Sequence, residues 1–190
     1  AEKALGSTGI RQTYLLCSRR AVSVPALTSE RDILELLDAP YQGSFENLLV
    51  SRFGVNPGQP PGPAMGQEDL QREAALRLPE DRDRIATELL RIKKRILENA
   101  ERERSAYLRY LKKNAALDSE DAAVVDIGFS GTIQKYLARL TGKATEGFYF
   151  VTSERAKGHP LAKGMHSCFG SFLKPNSGNP IYDYSLILES

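Results

Sequence analysis

The stretch from Asp121 to Gly142, DAAVVDIGFSGTIQKYLARLTG, constrains the fold more than any other. Ala122 to Val125 is a short apolar run with two β-branched residues, the pattern of a buried strand, and Asp126 closes it. Gly128-Phe129-Ser130-Gly131-Thr132 follows as a small-residue loop. Ile133, Tyr136, Leu137 and Leu140 then recur at helical spacing, and Gly142 is a natural stop. A strand, a glycine loop and a helix in this order present backbone N–H groups at a helix N-terminus, where the helix dipole favours an anion. Glycines let the backbone approach a phosphate closely, and Ser130 and Thr132 add hydroxyl donors. No Lys follows the second glycine and the GxGxxG spacing is absent, so this is neither a Walker A loop nor a dinucleotide fingerprint. A tight turn in which Ser or Thr only caps the helix fits the same letters.

The 190 residues form one α/β domain over 10–190, with 1–9 as a tail. Hydrophobic residues at 41% and charged residues at 26% are those of a soluble globular protein, and a net charge of +2 calls for no nucleic-acid partner. No run reaches the length of a membrane-spanning helix, and the first residues lack the basic-then-apolar pattern of a signal peptide, so a cytoplasmic setting is expected. Cys17 and Cys168 are too few for a disulfide framework, and His159 and His166 have no ligand set at metal spacing. No cofactor is named by these residues.

Along the chain, Thr13 to Cys17 reads as a second strand ending in Ser18-Arg19-Arg20, and Ala21 to Val24 is a short run stopped by Pro25. Ser29 caps a helix carrying Ile33, Leu36 and Leu37; Ser44 caps another carrying Phe45, Leu48, Leu49 and Phe53, with Gly54 as its stop. Residues 56–66 hold four prolines and three glycines and read as a linker or surface loop, and 68–78 as a short helix. The span 80–117 is one long helix, or two joined where the apolar stripe lapses at Glu101-Arg102-Glu103-Arg104. Its interleaved Arg, Lys and Glu indicate a solvated face with local ion pairs. Gly147 to Val151 is a third strand ending in Thr152-Ser153, and Met165 to Phe172 an edge strand. Tyr184 to Ser190 resembles the start of a further helix, which marks the chain as a segment of a larger protein.

Short apolar runs alternating with helical patterns predict a parallel sheet of three or more strands flanked by helices, with a long helix inserted between strands. In such a sheet the C-terminal ends of all strands share one edge, and ligands bind there. Ser18, Arg19 and Arg20, then Asp126, Gly128, Ser130, Gly131 and Thr132, then Ser153 are accordingly the expected ligand-binding residues. The glycine loop brings amides, and an arginine brings the fork that grips a phosphate.

The string VVDIGFSGTIQ at 124–134, together with YLLCSRRA at 14–21, resembles a region of large bacterial proteins associated with surface polysaccharide synthesis. In those proteins a strand of the form YLYVSRRAL lies downstream of a haloacid-dehalogenase-like hydrolase domain, and a DIGW-x-GTIQ element comes later. The resemblance spans most of the chain in order and spacing. It implies a neighbour of hydrolase and glycosyltransferase domains in one polypeptide, and it carries over no catalytic residues. The hydrolase itself needs a strand ending in D-x-D; here Asp81-Arg82-Asp83 opens a charged helix instead. A weaker likeness joins Asp126 and Ser130-Gly131-Thr132 to the phosphate loop of phosphoribosyltransferases, with one Asp in place of their acidic pair. Asp126-Ile127-Gly128 also echoes the D-x-G loop of actin-like ATPases, which use two such halves where this chain has one. Two functions follow: a binding domain for a phosphorylated sugar or nucleotide, or a non-catalytic scaffold joining the other domains of its polypeptide. Whether the domain is itself an enzyme stays open at this point.

Overall fold

In the computed structural model, which describes residues 10–56, 75–114, 119–158, 162–174 and 178, the chain divides into two compact units. One is Arg19–Tyr107; the other joins Ala1–Ser18 to Leu108–Ser190. The expected tail at 1–9, nearly all of the Pro/Gly-rich loop, residues 68–74, His159 and the helix start at Tyr184 lie outside the described residues.

The helical unit opens with α1 (Arg19–Ser23), which takes in most of the short run before Pro25. Ser29 caps α2 (Glu30–Glu35) through a reciprocal capping box with Asp32, which leaves both of their backbone N–H groups bonded. Burial alone would raise the Asp32 pKa, but hydrogen bonds from Thr28 and Ser29 outweigh it and hold the carboxyl below its ordinary value. Next come β1 (Tyr41–Gly43) and α3 (Phe45–Leu48), the latter capped by Ser44. It widens into a π turn over Leu49–Phe53 that ends on left-handed Gly54. Residues 76–78 are a strand, not the end of a helix: β2 (Leu76–Leu78) pairs antiparallel with β1. Its alternating burial, Leu76 and Leu78 in and Arg77 out, supplies a strand face too short to stand out in sequence.

The long charged span is two helices, α4 (Arg82–Arg91) and α5 (Lys93–Lys113), joined at Ile92. The break falls nine residues before Glu101, where the apolar stripe lapses. Ile85, Leu89, Ile96 and Ala100 are buried in one core with Ile33, Leu37, Leu48 and Phe53. Their charged neighbours pair on the outside, as in Arg91–Glu88 at 2.9 Å and Arg104–Glu101 at 2.6 Å. Arginines also meet chain-turn carbonyls that helices cannot: Arg52 donates to Leu36, Ala39 and Pro40, and Arg104 to Pro25 and Leu27.

The sheet unit holds β3 (Ala123–Asp126), α6 (Thr132–Thr141), β4 (Thr145–Tyr149) and β5 (Ala162–Ser167). The strands lie in the order β3-β4-β5 and are parallel throughout. The fold is therefore α/β with a three-stranded parallel sheet and a helix of 21 residues placed before it. Thr145, Gly147 and Tyr149 are buried on the face carrying α6. The opposite face exposes Val125, Ile127, Phe148 and Phe150. Thr13–Cys17 is not a strand: residues 10–18 have no regular structure, and the amide of Leu16 is bonded instead by the Tyr110 hydroxyl of α5 at 2.7 Å. No helix among the described residues is long and apolar enough to cross a membrane.

Candidate functional site

At the C-terminal end of β3 the chain turns back on itself through Asp126. Its Oδ1 accepts the N–H of Gly128 at 3.0 Å, closing a side-chain turn. A Cβ on Gly128 would stand 3.3 Å from the same carboxylate, so the glycine lets the acid fold over the loop. Gly131 follows at φ 65°, a left-handed conformation that a side chain resists, and serves as the N-cap of α6. It brings no capping side chain. The hydroxyls of Ser130 and Thr132 pair with each other at 2.8 Å. The N-cap position itself is thus held by a glycine and not by Ser or Thr, and the first-turn N–H groups of α6 have no partners within the helix.

The end of β4 meets the same loop. Ser153 donates its N–H to the Phe129 carbonyl at 2.9 Å and its hydroxyl to the same oxygen at 3.4 Å, while Phe129 packs with Val151 and Leu173. Asp126, Gly128, Ser130, Gly131, Thr132 and Ser153 are therefore brought together, as strand ends in one parallel sheet must be. Ser153 is buried and its hydroxyl is spent on Phe129, so it braces the loop from behind.

Ser18, Arg19 and Arg20 do not end a strand, and the edge argument that linked them to the loop does not apply to them. Arg19 and Arg20 open α1 in the helical unit, where Arg20 pairs with Glu103 at 2.9 Å and reaches the Val50 carbonyl. The run Thr13–Cys17 has the composition of a strand but joins no ladder among the described residues, and composition alone does not make a strand.

Two features beside the loop were not read from the sequence. Gln134 is buried on α6: its Nε2 donates to the carbonyls of Thr145 on β4 at 2.7 Å and Gly164 on β5 at 3.3 Å, and its Oε1 accepts the Tyr149 hydroxyl at 2.7 Å. Burial pushes the Tyr149 phenol well above its ordinary pKa, and the charge of Asp126 adds in the same direction. Gly147 is required beneath this network, since a Cβ there would fall 2.4 Å from Gln134 Oε1. The second feature lies on the open face, where His166 Nε2 meets Glu146 Oε2 at 2.9 Å and the imidazole stacks on Phe148. The β4–β5 register places the pair, which sequence spacing alone does not display. No group of three metal-ligating side chains stands together among the described residues.

No known protein family, no curated protein and no solved structure matches this chain.

Proposed function

We propose that the sheet unit is a binding domain for a phosphorylated sugar or nucleotide, held at the C-terminal end of the parallel sheet. We place it in a cytoplasmic multidomain protein of surface glycan synthesis, beside hydrolase and glycosyltransferase domains. The observation that carries the binding is the Asp126–Thr132 loop, in which a left-handed glycine without a capping side chain stands at the start of α6. Amides at a helix start suit a phosphate, and Asp126 is placed to accept a hydroxyl of the attached sugar. A scaffold role is favoured by one other observation, the apolar face of Val125, Ile127, Phe148 and Phe150 that the sheet leaves exposed.

A thermal-shift screen of sugar phosphates, nucleotides and sugar nucleotides tests the binding. Stabilisation is expected from phosphorylated members and not from the free sugars. At a ligand concentration of about 100 Kd the gain is about 2.7 kcal/mol. Asp126→Asn should weaken binding of sugar-bearing ligands more than of inorganic phosphate. Absence of any shift across the screen removes this reading and leaves the scaffold.

A further inference from the structure

A parallel sheet carries apolar side chains on both faces, and proteins cover both. Here the face under α6 is buried at Thr145, Gly147 and Tyr149, and the other is open. The ladder makes the open side chains contiguous. Val125 on β3 stands in register with Phe148 on β4. Ile127 and Phe150 lie two residues further on, and alternation along a strand keeps them on the same side. Phe169 packs on Phe150 with ring centroids 4.5 Å apart. Val125 is 84% and Ile127 82% exposed, and the three phenylalanines are each nearly half exposed. Together the five leave about 600 Å² of side chain in water, the size of the largest apolar patches on monomers, and such patches mark contact sites.

We propose that this open face is the interface of a two-fold dimer and that its occupant is the same face of a second copy of the chain. The area suits that occupant: two such faces pressed together withdraw about 1,200 Å² from water, the lower bound of a stable specific interface. The charge suits it as well. Val125, Ile127, Phe148, Phe150 and Phe169 carry no ionisable group. Glu146, at the margin, already meets His166 at 2.9 Å, and that imidazole stacks on Phe148. An apolar centre inside a partnered polar rim is the anatomy of a protein interface, and a copy laid against it brings no like charges to the middle. A partner for this face must also offer an equally apolar one. The other exposed large hydrophobics stand on helical segments, as Val50 and Leu108 do, or in the irregular run that holds Ile10, Tyr14 and Leu16. Among the described residues the matching sheet face is therefore this face itself, and a two-fold axis matches one patch to its own copy. Two sheets about 10 Å apart give each other the second cover that a parallel sheet requires. The interface does not depend on what the Asp126 loop binds.

Sedimentation velocity of the full chain over a concentration series tests the dimer, with nuclear Overhauser contacts in a mixture of differently labelled chains. A reversible dimer is expected, with interchain contacts from the Val125 and Ile127 methyls to the rings of Phe148, Phe150 and Phe169. Val125→Asp and Ile127→Asp should each weaken it about tenfold or more, because an unpaired carboxylate enters the interface. Their circular dichroism should match the wild type, since both positions already face water in the single chain. Val50→Asp, outside the sheet, should leave the dimer unchanged. A chain that stays monomeric up to about 1 mM, the weak end of the affinity scale, overturns the proposal and leaves the face to another domain of the polypeptide. A dimer whose interchain contacts fall elsewhere, or that Val50→Asp weakens as much as the two sheet variants do, overturns it too. Where an aspartate variant fails to fold, the interchain contacts of the wild type decide alone.

Discussion

A polar side chain in the middle of a buried helix face is costly unless its donors and acceptors are met. Gln134 meets the requirement with carbonyls from two strands and a phenol from one, which ties α6 to β4 and β5 at once. Gln134→Leu keeps the volume but strands the Tyr149 hydroxyl and the Thr145 carbonyl, and a loss of about 1–3 kcal/mol for each unsatisfied buried group is expected in urea titration. Thr145 gives the opposite case. Its Oγ1 is buried with no partner among the described residues, so Thr145→Val should hold or raise stability, by up to about 1 kcal/mol. Equal losses from the two substitutions would show that the polar network is not what holds α6 in place. Helical spacing picks out Ile133, Tyr136, Leu137 and Leu140 and passes over Gln134, because its partners lie 11, 15 and 30 residues away. Gly131, by contrast, was legible as a loop glycine; its left-handed φ shows why a glycine sits there.

Helices were the most legible elements, since their caps and stripes are local. Ser29, Ser44, Gly54 and Gly142 stand at the expected starts and stops. The break at Ile92 was not, because residues on both sides keep the same apolar face and only the backbone departs from it. The break makes a prediction possible that a single straight helix would not. Leu89 and Ile96 are fully buried on either side of it, whereas Ile92 at the joint is only partly covered. Leu89→Ala and Ile96→Ala should each cost about 2–5 kcal/mol, and Ile92→Ala clearly less. Equal costs at the three positions in urea titrations would mean that α4 and α5 pack as one continuous stripe. Strands were less legible: β1 and β2 are three residues each, and the strongest strand-like run outside the sheet, Thr13–Cys17, joins no ladder among the described residues. A strand is settled by what lies beside it, which a stretch of sequence does not contain.

Across the whole molecule, stability is linked to pH at both the acid and the alkaline end. Asp32, in the helical unit, has its pKa held below the ordinary 3.8. Its contribution is present above that value and is lost as pH falls through the lowered one. Each unit also holds a tyrosine whose phenol lies above the ordinary 10.0. Burial raises Tyr41 against the opposing charge of Arg52, and burial raises Tyr149 with the charge of Asp126 in support. The folded chain keeps these protons where the unfolded chain gives them up. Their contribution is therefore complete below pH 10 and declines as pH rises past it. Stability measured by urea titration from pH 7 to 11 should stay level and then fall. Tyr149→Phe should lower stability at pH 7 by about 1–3 kcal/mol, since it leaves the buried Gln134 Oε1 without its donor, and make the fall above pH 10 shallower. Asp126→Asn keeps that bond and removes only the charge, so it should leave pH 7 stability nearly unchanged while easing the alkaline fall. A slope above pH 10 that neither substitution alters would separate Tyr149 from Asp126, and with it the electrostatic link between the core of the sheet and the loop at its end.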